Sequence, residues 1–420
     1  MNRKIPIILS TSIFLLTCGC KFGSEDKWVE LYKDIYKGYE EVLSPEMSEI
    51  KTIGNDLTVI TVPTDLKKKM IELDLLVDSV HYVHLETNED VLLGDIKRIL
   101  LAEDRIVTLE LFSRHIAHIF DRNGNFISQL GIQGEGPNEY QKVMDVAINH
   151  TKHEILLMDL EGRKMMYYDF DGNHLRNERL YFEASNFTLL NDSLLLFKQS
   201  PKSNFHIENF RDHMLYLTDY KCKVQHYSIP SWALRYSKFP ERLVYESLNY
   251  NTGQALYGAF LNDTIYEISG DGIISPKYFI DLGANGLMHY IDETTNNDDR
   301  HKLTAEKGYY HFDGKCLETD NGLYLKAGEF YHAYYSRSTG GLQYGGNVLY
   351  KSWFGKKMDL IQFNHPIASE GNFFISVTWP DDILRERPDP DEYVPHVADM
   401  IRKAEKDGNP ILCFFSIKDF

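Results

Sequence analysis

Ile119-Phe120-Asp121-Arg122-Asn123-Gly124-Asn125-Phe126 decides the fold, because the chain repeats it. Tyr167-Tyr168-Asp169-Phe170-Asp171-Gly172-Asn173-His174 keeps the order of aromatic, acid and glycine turn, and Ile265-Tyr266-Glu267-Ile268-Ser269-Gly270-Asp271-Gly272 follows it. A degenerate copy lies between them at Leu217-Thr218-Asp219-Tyr220-Lys221-Cys222-Lys223-Val224. Counted on the acidic residue, Asp121, Asp169, Asp219 and Glu267 stand 48, 50 and 48 residues apart. In the copies that keep it, the Asn-Gly or Asp-Gly pair supplies the positive φ angles that a tight hairpin needs. A period of about 50 with several strands in each copy is the mark of a propeller, whose blades are four-stranded sheets set radially around a channel.

Working outward, the next comparable turn is Tyr335-Ser336-Arg337-Ser338-Thr339-Gly340, with Ser336 lying 69 residues beyond Glu267. An insertion accounts for the excess: residues 285–307 are rich in Asn, Asp and Gly without strand alternation, which predicts a loop lying over one face. A sixth blade comes from Asn372-Phe373-Phe374-Ile375-Ser376-Val377 and Ile411-Leu412-Cys413-Phe414-Phe415-Ser416-Ile417. Between them residues 396–406 read as a helix with Val397, Met400, Ile401 and Ala404 on one face, stopped by Gly408. A ring must close or leave bare sheet edges, and Ser79-Val80-His81-Tyr82-Val83-His84-Leu85-Glu86 is the strand that joins the last blade. The reading is therefore an all-β, six-bladed β-propeller over residues 79–420, with short N-terminal and C-terminal helices. Residues 20–78 form a tether. It carries an amphipathic helix over 25–40, with Trp28, Leu31, Tyr32, Ile35, Tyr36 and Tyr39 at helical spacing, and a short strand at Leu57-Thr58-Val59-Ile60-Thr61-Val62-Pro63.

The beginning of the chain has the layout of an export signal, with Arg3 and Lys4 ahead of an apolar run over residues 5–16. That run is too short to span a bilayer and suits a removable signal, so residues 1–19 are excluded from the fold. Leu15-Leu16-Thr17-Cys18-Gly19-Cys20 resembles a bacterial lipobox; Gly19 favours Cys20 as the lipid attachment site, with Cys18 as the alternative. The expected location is the outer membrane or cell surface, lipid-anchored, with a periplasmic-facing position also open. Ser24-Glu25-Asp26 resembles a surface-export signal. The net charge of −17 repels phosphate backbones and argues against nucleic acid as a partner. Beyond the anchor only Cys222, Cys316 and Cys413 remain, an odd and scattered set that gives no disulfide framework. The 27 tyrosines fit β-rich packing, with a carbohydrate-facing surface as the sharper alternative.

Three stretches carry a likeness to a known group. They are Val80-His81-Tyr82-Val83-His84-Leu85-Glu86-Thr87 with Leu93-Gly94-Asp95-Ile96, then Gly131-Ile132-Gln133-Gly134-Glu135-Gly136-Pro137-Asn138-Glu139-Tyr140, then Gly408-Asn409-Pro410-Ile411-Leu412. Together they resemble the six-bladed β-propeller lipoproteins of Bacteroidota, which are similar to NHL-repeat propellers. The resemblance implies the fold and an envelope location, and it carries no catalytic residue onto this chain.

Candidate chemistry reduces to structure at each point. The glycine-rich stretch lacks the Gly-Lys-Ser/Thr ending of a phosphate loop and no helix pattern follows it, so Gly131, Gly134, Gly136, Pro137, Glu139 and Tyr140 form a link between blades. His81 and His84, like His115 and His118, are three apart in strand segments and point to opposite faces, so neither pair grips one ion. Asp169, Asp171 and Asn173, like Asp121, Asn123 and Asn125, fit a hairpin better than a calcium loop, since the glycine comes too early and no closing glutamate follows. Cys413 alternates with Ile411 and Phe415 as a core residue. No Gly-x-Ser-x-Gly elbow is present, and no catalytic residue, metal ligand or cofactor is assigned. The expected function is a non-catalytic ligand-binding or protein-interaction propeller of the cell envelope, serving an envelope protein, peptide or glycan at its axial face or through residues 285–307. The alternative is a lyase or hydrolase acting on a glycan or peptide, with histidines and a metal at the axis.

Overall fold

The computed structural model describes residues 25–54, 57–63, 70–112, 114–199, 203–210, 213–230, 248–251, 254–259, 262–292, 295–327, 331–349, 365–385 and 387–420. Six antiparallel sheets follow one another along the chain. Blade 1 holds Arg98–Leu101, Arg105–Glu110, Ile116–Asp121 and Phe126–Gln129. Blade 2 holds Val143–Asn149, Glu154–Asp159, Lys164–Asp169 and His174–Arg179. Blade 3 is Asn186–Leu189, Leu194–Lys198, His213–Asp219 and Val224–Pro230, and blade 4 is Leu248–Asn251, Gln254–Gly258, Thr264–Ser269 and Ile274–Asp281. Blade 5 is Phe312–Glu318, Gly322–Ala327, Tyr331–Ser336 and Leu342–Gly345. Blade 6 takes Ala368–Glu370, Phe373–Thr378 and Ile411–Ile417 from the end of the chain and Val77–His84 from its beginning. The first strands of the six blades neighbour one another in order, and the sixth neighbours the first, so the ring is closed.

Each blade is covered on both faces by its neighbours, which is why its middle strands are continuous apolar runs and not alternating ones. Met165, Met166, Tyr167 and Tyr168 are all buried, and Tyr167 packs with Phe187, Phe197 and Tyr216 between blades 2 and 3. Burying one such side chain contributes about 1.5–3 kcal/mol.

The repeated turn joins the third and fourth strands. Asp121 accepts the N–H groups of Asn123 and Asn125 at 2.8 and 2.9 Å, Asp169 those of Asp171 and Asn173 at 3.0 and 2.8 Å, and Asp219 those of Lys221 and Lys223 at 2.9 and 2.8 Å. The carboxylates thus serve their own hairpins. In blade 4 the matching residue is Ser269, whose hydroxyl accepts the N–H of Ile273 at 3.1 Å. Glu267, aligned with the three aspartates by sequence, stands two residues earlier in the strand and pairs with Lys277. The position three residues after each capping residue has positive φ in Gly124, Gly172, Cys222 and Gly272, which fixes the true register.

The ends of the chain hold several surprises. The closing strand starts at Val77, two residues before the expected Ser79, and pairs antiparallel with Ile411–Ile417. Upstream of it the chain runs along the outside of the ring. Leu43–Glu49 adds in parallel to Val224–Pro230 of blade 3, Thr58–Thr61 to Ile274–Asp281 of blade 4, and Met70–Glu72 to Asn347–Leu349 after blade 5. The N-terminal helix spans Glu25–Ile35 and breaks before Gly38, whose φ is 91°, so the expected helix over 25–40 ends in a separate 3-10 turn at Tyr39–Val42. The C-terminal helix is Pro395–Lys403 and stops well before Gly408. The insertion expected as a loop over 285–307 is partly helical: Asn296 caps Asn297–His301 by accepting the N–H of Asp299 at 3.0 Å. Among the described residues no helix is long and apolar enough to cross a membrane.

Candidate functional site

A meander that repeats six times puts two kinds of connection at opposite ends of the ring. Links between the first and second strands, and between the third and fourth, lie at one end, here called the turn face. Links between the second and third strands, and from blade to blade, lie at the other, the loop face.

On the turn face the polar groups are spent on joining neighbouring blades. Arg105 of blade 1 donates to the Phe170 carbonyl and to Asp171 of blade 2, both at 3.0 Å. Tyr220 of blade 3 donates to Glu154 of blade 2 at 2.7 Å, and Asn191 of blade 3 donates to the Gly270 carbonyl of blade 4 at 2.6 Å. Glu318 of blade 5 accepts from Lys277 and Tyr278 of blade 4 at 2.9 and 2.5 Å. Ser338 of blade 5 donates to Asp419 beside blade 6, and Arg122 of blade 1 pairs with Glu370 of blade 6. Fasteners therefore run round the whole ring.

The loop face carries the long connections: residues 85–97, 130–142 and 282–311 between blades, and 379–410 within blade 6. The glycine-rich link lies here as a folded turn. Gly136 donates to the Glu139 carboxylate at 2.8 Å, Gly134 to the Tyr140 carbonyl at 2.9 Å, and Lys164 to the carbonyls of Pro137 and Glu139 at 3.2 and 2.6 Å. Gly131 has φ 74° and lies against Tyr168, while the Tyr140 ring is buried in the core between blades 1 and 2. Ile132 at its tip is 67% exposed, and Phe112 on the neighbouring loop is 65% exposed.

At the axis the first strands form a polar collar. Arg98 of blade 1 donates to both oxygens of Asp145 of blade 2 at 2.8 and 2.6 Å, and Asp145 also accepts the N–H of Phe187 in blade 3 at 2.9 Å. Asp145 is fully buried, so one carboxylate ties three blades together. Farther round, at the loop-face mouth, Lys326 pairs with Asp313 at 3.3 Å, and the His332 ring stacks on His365 at 5.2 Å. Tyr324 holds Nδ1 of His332 at 2.6 Å. Desolvation, then Lys326 and Lys315, pull the His332 pKa down to about 4. Desolvation, then Lys315, His332, Lys326 and Lys97, take His365 to about 3. Both rings are neutral at physiological pH. Sequence reading missed this group because its members come from three blades and have no motif spacing.

His81 stacks on Phe414 at 4.6 Å, whereas His115 is not in a strand: it precedes Ile116–Asp121 with φ 55° and bonds the Val143 carbonyl at 3.0 Å. His118 is buried beside Glu110 at 3.7 Å. Burial raises the thiol pKa of Cys222, Cys316 and Cys413, all unpaired, out of the reactive range. Among the described residues no group of three or more His, Cys, Asp or Glu could hold a metal ion. Cys18 and Cys20 lie outside the described residues.

Among solved structures the chain is similar to a Bacteroides fragilis protein assigned to export, at 17% identity and a TM-score of 0.65, covering 86% of this chain and 100% of that one. It is also similar to a member of the DUF4221 family from Bacteroides vulgatus, at 13% identity and a TM-score of 0.46, covering 84% of this chain and 99% of that one. The first likeness is one of fold. No curated protein matches the chain. Residues 57–416, from the second edge strand to the last strand of blade 6, match the family model described as a domain of unknown function, DUF4934, and the chain belongs to that family.

Proposed function

We propose that this protein is a cell-envelope lipoprotein whose propeller is a non-catalytic binding module, meeting an envelope protein, peptide or glycan through its loop face. One observation carries the reading: the turn face is occupied by contacts between blades, while the long connections gather at the other end around a polar mouth. Binding at such a mouth needs no catalytic motif. The envelope location is supported by the basic head, short apolar run and Cys20 of the sequence, and by likeness to a protein assigned to export.

Photo-crosslinkers placed one at a time at Phe112 on the loop face and Asn123 on the turn face, in intact cells, test the binding reading. A discrete product from Phe112 alone is the expected result. Products from Asn123 alone would exclude the loop face as the interface, and equal products from both would show that the protein has no preferred binding face. Membrane partition of Cys20→Ser, Cys18→Ser and the double variant tests the anchor. Retention of all three in the membrane fraction would rule out acylation at these cysteines.

A further inference from the structure

Three blades send basic side chains to the same place at the mouth. Lys97 leads into blade 1, Lys315, Lys326 and His332 belong to blade 5, and His365 leads into blade 6. Lys326 stands opposite His332 in the strand ladder and the His332 ring stacks on His365 at 5.2 Å, and Lys315, Lys326 and Lys97 together with His332 depress the basicity of His365. None of the three lysines is at an open surface: Lys315 is 2% exposed, the Lys326 side chain 25%, and Lys97 is half-buried with its ammonium 4.4 Å from the Phe112 ring centre. Lysines ordinarily reach into water, so recessed ones converging on one imidazole are unusual. They are more so in a chain of net charge −17.

The donor geometry is suited to an oxyanion. The Tyr324 hydroxyl and Nδ1 of His332 share a hydrogen bond of 2.6 Å, and in the tautomer in which the hydroxyl donates the ring proton of His332 sits on Nε2. His365 lies against it with an exposed edge. Lys326 is held at 3.3 Å by Asp313. Burial, opposed by Lys326, raises the pKa of Asp313 to about 6, so this carboxylate takes up a proton and gives up its charge on the lysine in mildly acidic solution.

We propose that this basic cluster receives an oxyanion, a carboxylate, sulfate or phosphate ester on the propeller's ligand, bound by Lys97 and Lys326 with the N–H groups of His332 and His365, against competition from Asp313. The proposal rests on the reading that the loop face binds a ligand, and free anions test it without any envelope partner.

Calorimetric titration of the mature chain at pH 7 and constant ionic strength uses sodium sulfate, sodium phosphate and sodium glucuronate, with glucose as the uncharged control. The expected result is saturable binding of at least one anion and none of glucose, and the tightest of the three identifies the source of the charge. Lys326→Met should weaken binding about tenfold, the usual scale for losing a charged hydrogen bond. Asp313→Asn should tighten it, because the internal competitor is gone. In the wild type, affinity should also rise from pH 7.5 to pH 5.5 as Asp313 takes up its proton. Lys315 and Lys326 face it, and the two histidines stay neutral over that range. Asp313→Asn should flatten that rise. Absence of saturable binding by all three anions, or equal affinities in wild type and both variants, would overturn the proposal. If the Phe112 crosslink forms while no anion binds, only the oxyanion site fails and the loop-face reading stands.

Discussion

Glu183 shows how one side chain couples the N-terminal helix to the ring. It lies in the connection before blade 3, and its carboxylate accepts the Tyr32 hydroxyl at 3.1 Å. Around it Tyr36 stacks on His206 at 4.9 Å and Trp28 on Phe205 at 6.2 Å, so the helix is docked largely by rings. Desolvation raises the pKa of Glu183 above the ordinary glutamate range, and the bond from Tyr32 only partly opposes this. A raised acid means that the docked state takes up a proton before the undocked state does. Docking therefore strengthens as the pH falls from neutral toward the unfolded glutamate value of about 4.3, and weakens as it rises. Amide exchange over residues 25–35 should slow on acidification in the wild type, beyond the intrinsic pH effect, and lose that dependence in Glu183→Gln. Protection that falls with acid in the wild type would contradict it. None of this was legible in the sequence. The ring spacing of Trp28, Tyr32 and Tyr36 announced a helix, but its acceptor lies some 150 residues away.

Elements were legible where local chemistry alone decides them. The Asp-x-x-Gly hairpins recur because an aspartate must cap its own turn and a glycine must take positive φ, and both requirements are visible within six residues. Blade 4 hid the pattern by substituting Ser269 for the aspartate, so the neighbouring Glu267 looked like the match. Blade 3 hid the glycine behind Cys222, an uncommon residue at φ 62°. These turns also press on the preceding blade: a Cβ at Gly172 would strike Ser128, and one at Gly124 would strike the His84 carbonyl. Gly124→Ala should then cost roughly 2 kcal/mol or more, because backbone strain at positive φ adds to a contact that cannot yield. Cys222→Gly should come out near neutral, because relief of the same strain is offset by emptying a fully buried thiol from the core between blades 2 and 3. Urea denaturation of both variants checks this, and a neutral Gly124→Ala would show that the turn relaxes. The helical insertion was the opposite case, since its cap uses Asn296 and Asp299 within a polar run that otherwise reads as loop.

At the scale of the whole molecule, closure depends on a strand that the chain supplies before any blade begins. Val77–His84 covers the full length of Ile411–Ile417, from Ile411 opposite His84 to Ile417 opposite Val77, and the Ser79 and Ser416 hydroxyls meet at 2.7 Å. All seven residues of Ile411–Ile417 are buried, so removing the partner would expose an apolar edge in the middle of the ring. Sequence pattern at both ends revealed this pairing, whereas of the three parallel edge strands upstream only Thr58–Thr61 was legible as a strand, and nothing in such a short stretch names the blade it will join. The two layers should therefore differ in what they support. A chain of residues 57–420, which begins where the family match begins, loses the N-terminal helix and Leu43–Glu49 but keeps the closing strand. It should stay soluble and melt cooperatively at a lower temperature, with faster amide exchange in blade 3 and at the Ile274 end of the outer strand of blade 4. A chain of residues 85–420 should aggregate, because its ring is open at blade 6. Light scattering after size exclusion, with calorimetry on the soluble fraction, separates the two. A soluble, cooperatively melting 85–420 would show that five complete blades and three strands close without Val77–His84, and the closing role of that strand would fall.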